Sequence, residues 1–395
     1  MKVIQISTFP NKAAGSIMMN LHKEMRTLGI ESYVAWGRGR DSNDETEYYM
    51  DDVWGVRFHG IYTRILDKTG FASKTSTKKL IDWMDKINPD IVHLHCIHGY
   101  YLHIGLLFEY LKKKNIKVVW TQHDCWAFTG HCAYFDSVGC DKWKNGCNNC
   151  PQLHSFPASY VVDNSKSNWN KKKSLFNLDN LYIVTPCEWL KNIVSESFLS
   201  NHTITVIYNG IDDHKFCRRK SDFIKENGLE NKKIILGVAS EWTERKGLND
   251  FINLDKLIDH DVYKIVVVGV NDVQRRDIPE SIIAINRTNN LDELISIYSC
   301  SYLFFNPTYE DNFPTTNLEA ISCGLPVVTY ETGGSPESIN GSGFVLPKGD
   351  LEGFINILPS VEKLGRIKLD DRFKKKFMIS NYIKLYKQLS GEEYE

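Results

Sequence analysis

The sequence predicts an α/β protein made of two doubly wound, parallel-sheet domains. Three observations carry this expectation. At 395 residues the chain is longer than one hydrophobic core comfortably fills. Short apolar runs alternate with stretches of helical periodicity along its length. The alternation restarts after Asn209-Gly210, a turn signal followed by a polar, Lys-rich stretch.

In the first half, KVIQIS (residues 2–7) is a buried-strand run. Ile17, Leu21, Met25 and Leu28 then recur at helical spacing, with Gly29 as the stop. Gly15 lies in the intervening turn, where a missing side chain permits close approach of the backbone to a ligand. The unit repeats with IVHLHC as a strand, Tyr101 to Lys113 as a helix, KVVWTQH as a strand, and LYIVTP as a strand before a helix from Glu188. In the second half IILGVAS, IVVVGV, SIIAIN, YLFFNP and LPVVTY are strands between helical stretches. The boundary falls near residue 210, giving Rossmann-like domains at 1–210 and 211–370. The tail repeats Phe373, Phe377, Ile383 and Tyr386 at helical spacing, so 371–395 is expected to pack back on the first domain.

Forty-eight Lys and Arg against 49 Asp and Glu leave a net charge of −1, which excludes a globally basic nucleic-acid binder. Met1 to Ser7 lacks a signal peptide's cationic leader and long apolar core, and no apolar run reaches membrane-spanning length. The expected location is the cytoplasm, with at most a peripheral contact at the inner face of the membrane. The runs Lys112–Lys114 and Lys171–Lys173 read as solvated faces.

The most informative stretch is NPTYEDNFPTTNLEAISCGLPVVTY, residues 306–330, read as strand, loop, helix from about Thr315, and strand. Asp311, Asn312, Phe313 and Pro314 feed a helix start whose free N–H groups and dipole suit an anion at a strand's carboxyl end. Glu319, about one turn in, offers lone pairs to a ribose diol. In GVASEWTERKGLNDF, residues 237–251, Arg245 and Lys246 stand before Gly247 in a second strand-to-helix loop. A helix end alone supplies about 0.3 to 2 kcal/mol toward an anion. A positioned donor or cation in a dry site contributes on the order of 3 to 4 kcal/mol to a transition state.

These two stretches resemble the family 4 retaining glycosyltransferases, and the resemblance implies a GT-B fold whose two domains face an interdomain cleft. The family signature is a Glu, seven residues, a second Glu, then Ala and a Gly-Pro-Val turn. Glu319 matches the second Glu, which in the family holds the ribose. Counting back eight residues reaches Asp311, with Glu310 one residue too early, so the carboxylate that contacts the donor sugar is shortened or displaced. The family clamps the donor diphosphate with an Arg and a Lys. Lys246 matches, Glu241 occupies the Arg position, and Arg245 is the substitute. Arg287 and Thr288 follow SIIAIN where the resemblance places the nucleotide base. A uridine diphosphate donor is the starting expectation, with guanosine diphosphate also open. His123, in the string Thr-Gln-His-Asp, resembles the family's histidine beside the reacting sugar, where a neutral imidazole hydrogen-bonds a hydroxyl. The resemblance implies a front-face, retaining transfer that needs no divalent metal. The acceptor it implies is a growing lipid-linked glycan in bacterial surface polysaccharide assembly.

Cys132, Cys140, Cys147 and Cys150 crowd into one segment, and the last two have a zinc-knuckle spacing. Four thiolates, or three with His131, would make a structural zinc clip with no open catalytic position. Packed free thiols are the alternative.

Three other classes are open to test. A dinucleotide-dependent oxidoreductase needs a Gly-x-Gly-x-x-Gly turn that neither half provides. A zinc-containing nucleic-acid binder lacks a basic helix beside the cysteines. A catalytically impaired nucleotide-sugar-binding protein of the same fold is supported by Glu241 and Asp311. No second carboxylate stands as a glycosidase-type nucleophile.

Overall fold

The computed structural model describes residues 1–12 and 14–391. The chain forms two compact units, Met1–Ile207 together with the chain from Ile379, and Tyr208–Met378.

The first unit holds seven strands: β1 (Lys2–Ser7), β2 (Glu31–Trp36), β3 (Glu47–Tyr49), β4 (Ile91–Leu94), β5 (Lys117–Thr121), β6 (Leu181–Thr185) and β7 (Thr203–Val206). They pair in the order β3-β2-β1-β4-β5-β6-β7, all parallel. The second unit holds six: β8 (Lys233–Val238), β9 (Tyr263–Val268), β10 (Ile283–Ile285), β11 (Leu303–Asn306), β12 (Val327–Tyr330) and β13 (Gly343–Leu346). Their order is β10-β9-β8-β11-β12-β13, again all parallel. In each sheet the winding reverses beside its first strand, at β1/β4 and at β8/β11, and ligands of open α/β sheets bind at such reversals.

Strand periodicity explains why both faces are covered in the second unit. Ile235, Ile265, Val267 and Phe305 enter one core, whereas their neighbours Ile234, Leu236, Val266 and Phe304 enter another. Successive side chains point to opposite faces, so continuous apolar strands need a layer on each side.

The last helix, Lys375–Ser390, contains the division between the units. From Ile379 it belongs to the first unit, where Tyr386 Oη meets His93 Nδ1 at 2.5 Å and Tyr382 Oη meets Thr121 Oγ1 at 2.9 Å. Phe377, expected on its apolar face, is exposed. Leu28 is exposed too, because its helix ends at Thr27. The helix expected from Tyr101 starts at Ile104, after Tyr100 takes a left-handed φ of 65°. Tyr101 instead fills the space left by Gly37, where a Cβ would lie 2.0 Å from its ring.

In the lysine run at 171–173, Lys171 and Lys173 are exposed as expected, and Lys172 corrects the expectation. Lys172 is buried, its ammonium donating to the carbonyls of Trp126 at 2.7 Å and Thr129 at 3.1 Å and lying 3.4 Å from the centre of the Trp126 indole.

Candidate active site

At the β8/β11 reversal, residues 239–247 continue β8 and residues 307–314 continue β11. Arg245 donates to the Glu310 carbonyl at 2.7 Å, and its own carbonyl accepts from the Tyr309 N–H at 2.8 Å. Gly247, at φ 74°, leaves no room for a Cβ, which would lie 2.2 Å from the Pro307 carbonyl oxygen. The two loops are thereby locked together. Lys246 forms a hydrogen-bonded ion pair with Asp311, and Arg245 stands 3.8 Å from the same carboxylate. Burial acts to raise the Asp311 pKa, but Lys246 and Arg245 outweigh it and hold the carboxyl below its ordinary value. Two cations thus face the Asp311 carboxylate.

The helix Thr315–Ser322 starts beside this cluster with Pro314 as its cap, no side-chain cap and no acid in its first turn. An anion is the complement such an end lacks. Gly333, at φ 51°, approaches so closely that a Cβ would lie 1.8 Å from the Asp311 carbonyl oxygen, and Gly334 N–H donates to Asn312 O at 3.1 Å.

Glu319, one turn along that helix, accepts from Tyr298 Oη at 3.3 Å. Burial pushes its carboxyl up to about 7, against the opposing effect of that hydrogen bond. Tyr298 was not legible as a site residue, since its position in the sequence marks only a helix core. The same holds for a chain of buried amides and hydroxyls. Asn306 donates to Asn317 at 2.8 Å, Asn317 to Ser338 at 2.8 Å, and Ser338 to the Ser335 carbonyl at 2.7 Å. It fixes the Glu319 helix to β11 and to the next helix, Ser335–Ile339.

Other expected residues stand apart. Phe313 is buried against Tyr208 and Phe373, with ring centres 5.8 and 5.9 Å away, so its side chain is a packing group. Asn312 and Pro314 are buried, whereas Thr315 is half-buried. Arg287 is exposed and Thr288 half-buried beyond β10, the edge strand, with β9 between them and the reversal. Glu241 is exposed. Gly15 lies in the first turn of its helix, where the Phe9 carbonyl takes its space, at 1.7 Å from a Cβ. The close approach there is made by the chain itself.

In the first unit, His123 follows β5 and its Nε2 lies 3.1 Å from Nδ1 of His95, which follows β4. Burial lowers the His123 pKa to about 4, so the ring is neutral near pH 7. Both histidines line a small crevice with His98, Asp124 and Trp126. His98 Nε2 meets Asp124 at 2.7 Å, with the Cys96 sulfur within 4.8 Å. Burial pushes the Cys96 thiol well up, which opposes the thiolate a metal would need.

Cys132, Cys140, Cys147 and Cys150 line, with His131, a second small crevice. The structure gathers them without making a coordination set. Among the described residues, no three of these ligand atoms lie within 4.8 Å of one another. Sulfurs around one tetrahedral zinc would be about 3.8 Å apart. As arranged, the set does not fit the expected zinc clip. His131 is turned to Asp67, 2.5 Å from its Nδ1, and the Cys147 sulfur accepts from the Gly130 N–H at 3.1 Å. The segment is instead packed around Phe128, Phe135 and Trp143, whose ring centres are 5.0 to 6.2 Å apart.

Comparison with known proteins gives the family and the fold. The family model described as Glycosyltransferase Family 4 matches residues 14–215, and that described as Glycosyl transferases group 1 matches residues 219–377. The chain is 23% identical to the putative colanic acid biosynthesis glycosyl transferase WcaC of Escherichia coli, over 84% of this chain and 83% of that protein. It is 26% identical to the capsular polysaccharide biosynthesis glycosyltransferase CapM of Staphylococcus aureus, over 46% and 51%. Anabaena HepE, solved in complex with UDP-glucose, shares the fold with a TM-score of 0.65 at 14% identity, over 98% of this chain and all of that one.

Proposed function

Because the chain belongs to glycosyltransferase family 4 and has the two-sheet GT-B architecture, we propose that it transfers a glycosyl unit from a nucleoside diphosphate sugar to an acceptor hydroxyl with retention of configuration. The bond from the anomeric carbon to the diphosphate oxygen breaks, and one to the acceptor oxygen forms on the same face. The acceptor proton passes to the departing phosphate, so the step needs no protein nucleophile.

One observation carries the reading most directly. Arg245 and Lys246 face the Asp311 carboxylate beside a helix start without a side-chain cap at the β8/β11 reversal. In this reading residues 208–378 bind the donor and the first unit the acceptor. Arg245, Lys246 and the N–H groups from Thr315 receive the diphosphate, Glu319 the ribose, and Asp311 the donor sugar. Asn312 and Pro314 shape the approach, with Phe313 packed behind them. Arg287 and Thr288 lie where the base would reach. His123, neutral near pH 7, hydrogen-bonds a sugar hydroxyl. Since protein cations meet the leaving-group charge, turnover is expected to proceed without a divalent ion.

The HepE complex supports a uridine nucleotide, with guanosine the alternative. The names of WcaC and CapM support a glycan acceptor in surface polysaccharide assembly, and the proposed acceptor is such a glycan carried on a lipid. The test is a screen of nucleoside diphosphate sugars for donor turnover, with and without EDTA, followed by the anomeric configuration of the product. Turnover of none, with nucleotide binding intact, would favour an impaired sugar-nucleotide binder. That reading draws on the Asp311 carboxylate occupying the cations. Inverted product or an absolute need for Mg²⁺ would refute the mechanism.

A further inference from the structure

One helix of the first unit turns its polar side chains inward and its apolar ones outward. It spans Val53–Leu66, and its buried residues are His59, Gly60 and Thr63. His59 Nδ1 meets Ser73 Oγ at 2.9 Å, its Nε2 accepts from the Gly70 N–H at 3.0 Å, and the Thr69 hydroxyl donates to Thr63 at 3.4 Å. On the outer side, at spacings of four, three and four residues, stand Trp54, Phe58, Ile61 and Ile65, which are 77%, 62%, 55% and 46% exposed. A helix packed on a water-facing globule shows the reverse pattern.

The neighbouring segment extends the apolar face. Tyr160 N–H donates to the Arg64 carbonyl at 2.8 Å and Val162 N–H to the Ile65 carbonyl at 3.1 Å, which brings exposed Tyr160 and Val161 alongside. Eight of the fifteen large apolar side chains exposed among the described residues fall within 53–65 and 156–161. Scattered apolar residues need no explanation, but a concentration of this kind marks a contact surface.

The charge on the face selects the partner. Helix Val53–Leu66 carries Arg57 and Arg64, both exposed, and no acid, while residues 156–162 carry no charge. The Arg57 guanidinium lies 5.0 Å from the centre of the Trp54 ring. Asp52 at the helix start is engaged in capping, its carboxylate accepting from the Gly55 N–H at 2.8 Å, and Asp51 is exposed beyond it. Asp163, at the far end, accepts from the N–H groups of Cys150 and Ser165. The apolar face itself therefore carries two guanidinium groups and no acid, with Asp51, Asp52 and Asp163 at its margins. A second copy docked face to face would bring like charges together, which disfavours that pairing.

We infer that this face rests on a lipid bilayer bearing anionic headgroups. Trp54, Phe58, Ile61 and Ile65 enter the boundary between headgroups and acyl chains, and Arg57 and Arg64 pair with lipid phosphates. The inference uses none of the residues assigned to sugar transfer.

The test sediments the full chain with vesicles of phosphatidylcholine, alone or mixed with phosphatidylglycerol. Wild type is expected to bind the mixed vesicles more tightly, and less so as salt rises. Phe58→Glu should lower the partition by about tenfold or more, because a charge replaces an inserted ring. The double variant Arg57→Gln/Arg64→Gln should remove the preference for phosphatidylglycerol. As a second readout, the vesicle-induced blue shift of tryptophan emission should shrink in Trp54→Phe. Circular dichroism of each variant should match wild type. Failure of wild type to bind either vesicle, or equal binding by Phe58→Glu, overturns the proposal. So does a dimer in lipid-free buffer that Phe58→Glu converts to monomer, since a second copy would then cover the face.

Discussion

Glu319 is the residue at which sequence motif and physical setting meet most sharply. Its folded pKa of about 7 lies above the free value of 4.5, so between these values the folded state holds a proton that the unfolded chain has released. Stability from this group is present below 4.5 and declines as pH rises toward 7. Ribose binding wants the opposite form, because the ionised carboxylate is the stronger acceptor. Nucleoside diphosphate affinity should therefore increase from pH 6 to pH 8 by up to about tenfold through this group. Calorimetry on wild type and Glu319→Gln separates it from ionisation of the ligand: the variant should bind more weakly at pH 8 and keep only the ligand's own slope. Parallel slopes would remove Glu319 from the ribose role. The two cations at 245 and 246 invite a second measurement. If both hold the diphosphate, Arg245→Ala and Lys246→Ala should lower turnover comparably and non-additively, with a coupling of about 0.5 to 3 kcal/mol in a double-mutant cycle. A wild-type rate for Arg245→Ala would show that the clamp uses some other cation.

At the scale of elements, nine of the thirteen strands were readable because apolar runs have few ways to bury both faces of a sheet, whereas Glu31–Trp36, Glu47–Tyr49, Thr203–Val206 and Gly343–Leu346, and the pairing order, were not. The loop–helix unit around 306–330 was readable for a different reason, since helix start, acid and turn occur there in a fixed order. Side-chain partners over long separations were not. Tyr298 and Glu319 are 21 residues apart, and no periodicity signals that a helix-core tyrosine will meet that acid. The cysteine segment shows a related limit: spacing along the chain says that thiols are near, not how closely they converge on one point. Lys172 is the plainest case, a member of a charge run that tertiary structure buries. Burial pushes its ammonium down to about 7 from 10.5, so the unfolded chain binds more protons between these values. Stability relative to Lys172→Met should thus increase as pH is raised from 7 toward 10. Chemical denaturation across that range checks the sign. At the upper end the variant should be less stable by on the order of 1 to 3 kcal/mol, because the Trp126 and Thr129 carbonyls lose their donor.

Over the whole molecule, the first unit is discontinuous in sequence, completed by the chain from Ile379. Its final helix supplies more than apolar cover. Tyr386 and Tyr382 are buried, and their hydroxyls meet His93 and Thr121, which are also 2.7 Å from each other. Burial pushes the His93 pKa well below its ordinary value, so the neutral ring depends on hydrogen bonds for satisfaction. Removing residues 379–395 would expose the apolar surface under this helix and leave the His93–Thr121 pair without its phenol partners. The second unit keeps both of its cores, and Arg245, Lys246, Asp311 and Glu319 all lie within it. A chain ending at Met378 should therefore show a lowered thermal transition for the first unit while a nucleoside diphosphate still shifts the transition of the second. Tyr386→Phe, which removes one hydroxyl and little volume, should lower the first transition less, through a destabilisation of about 1 to 3 kcal/mol for an unpaired buried group. Scanning calorimetry with and without nucleotide makes the comparison. If truncation abolished the nucleotide-dependent shift, the donor site would depend on the last helix, and its assignment to residues 208–378 alone would fail.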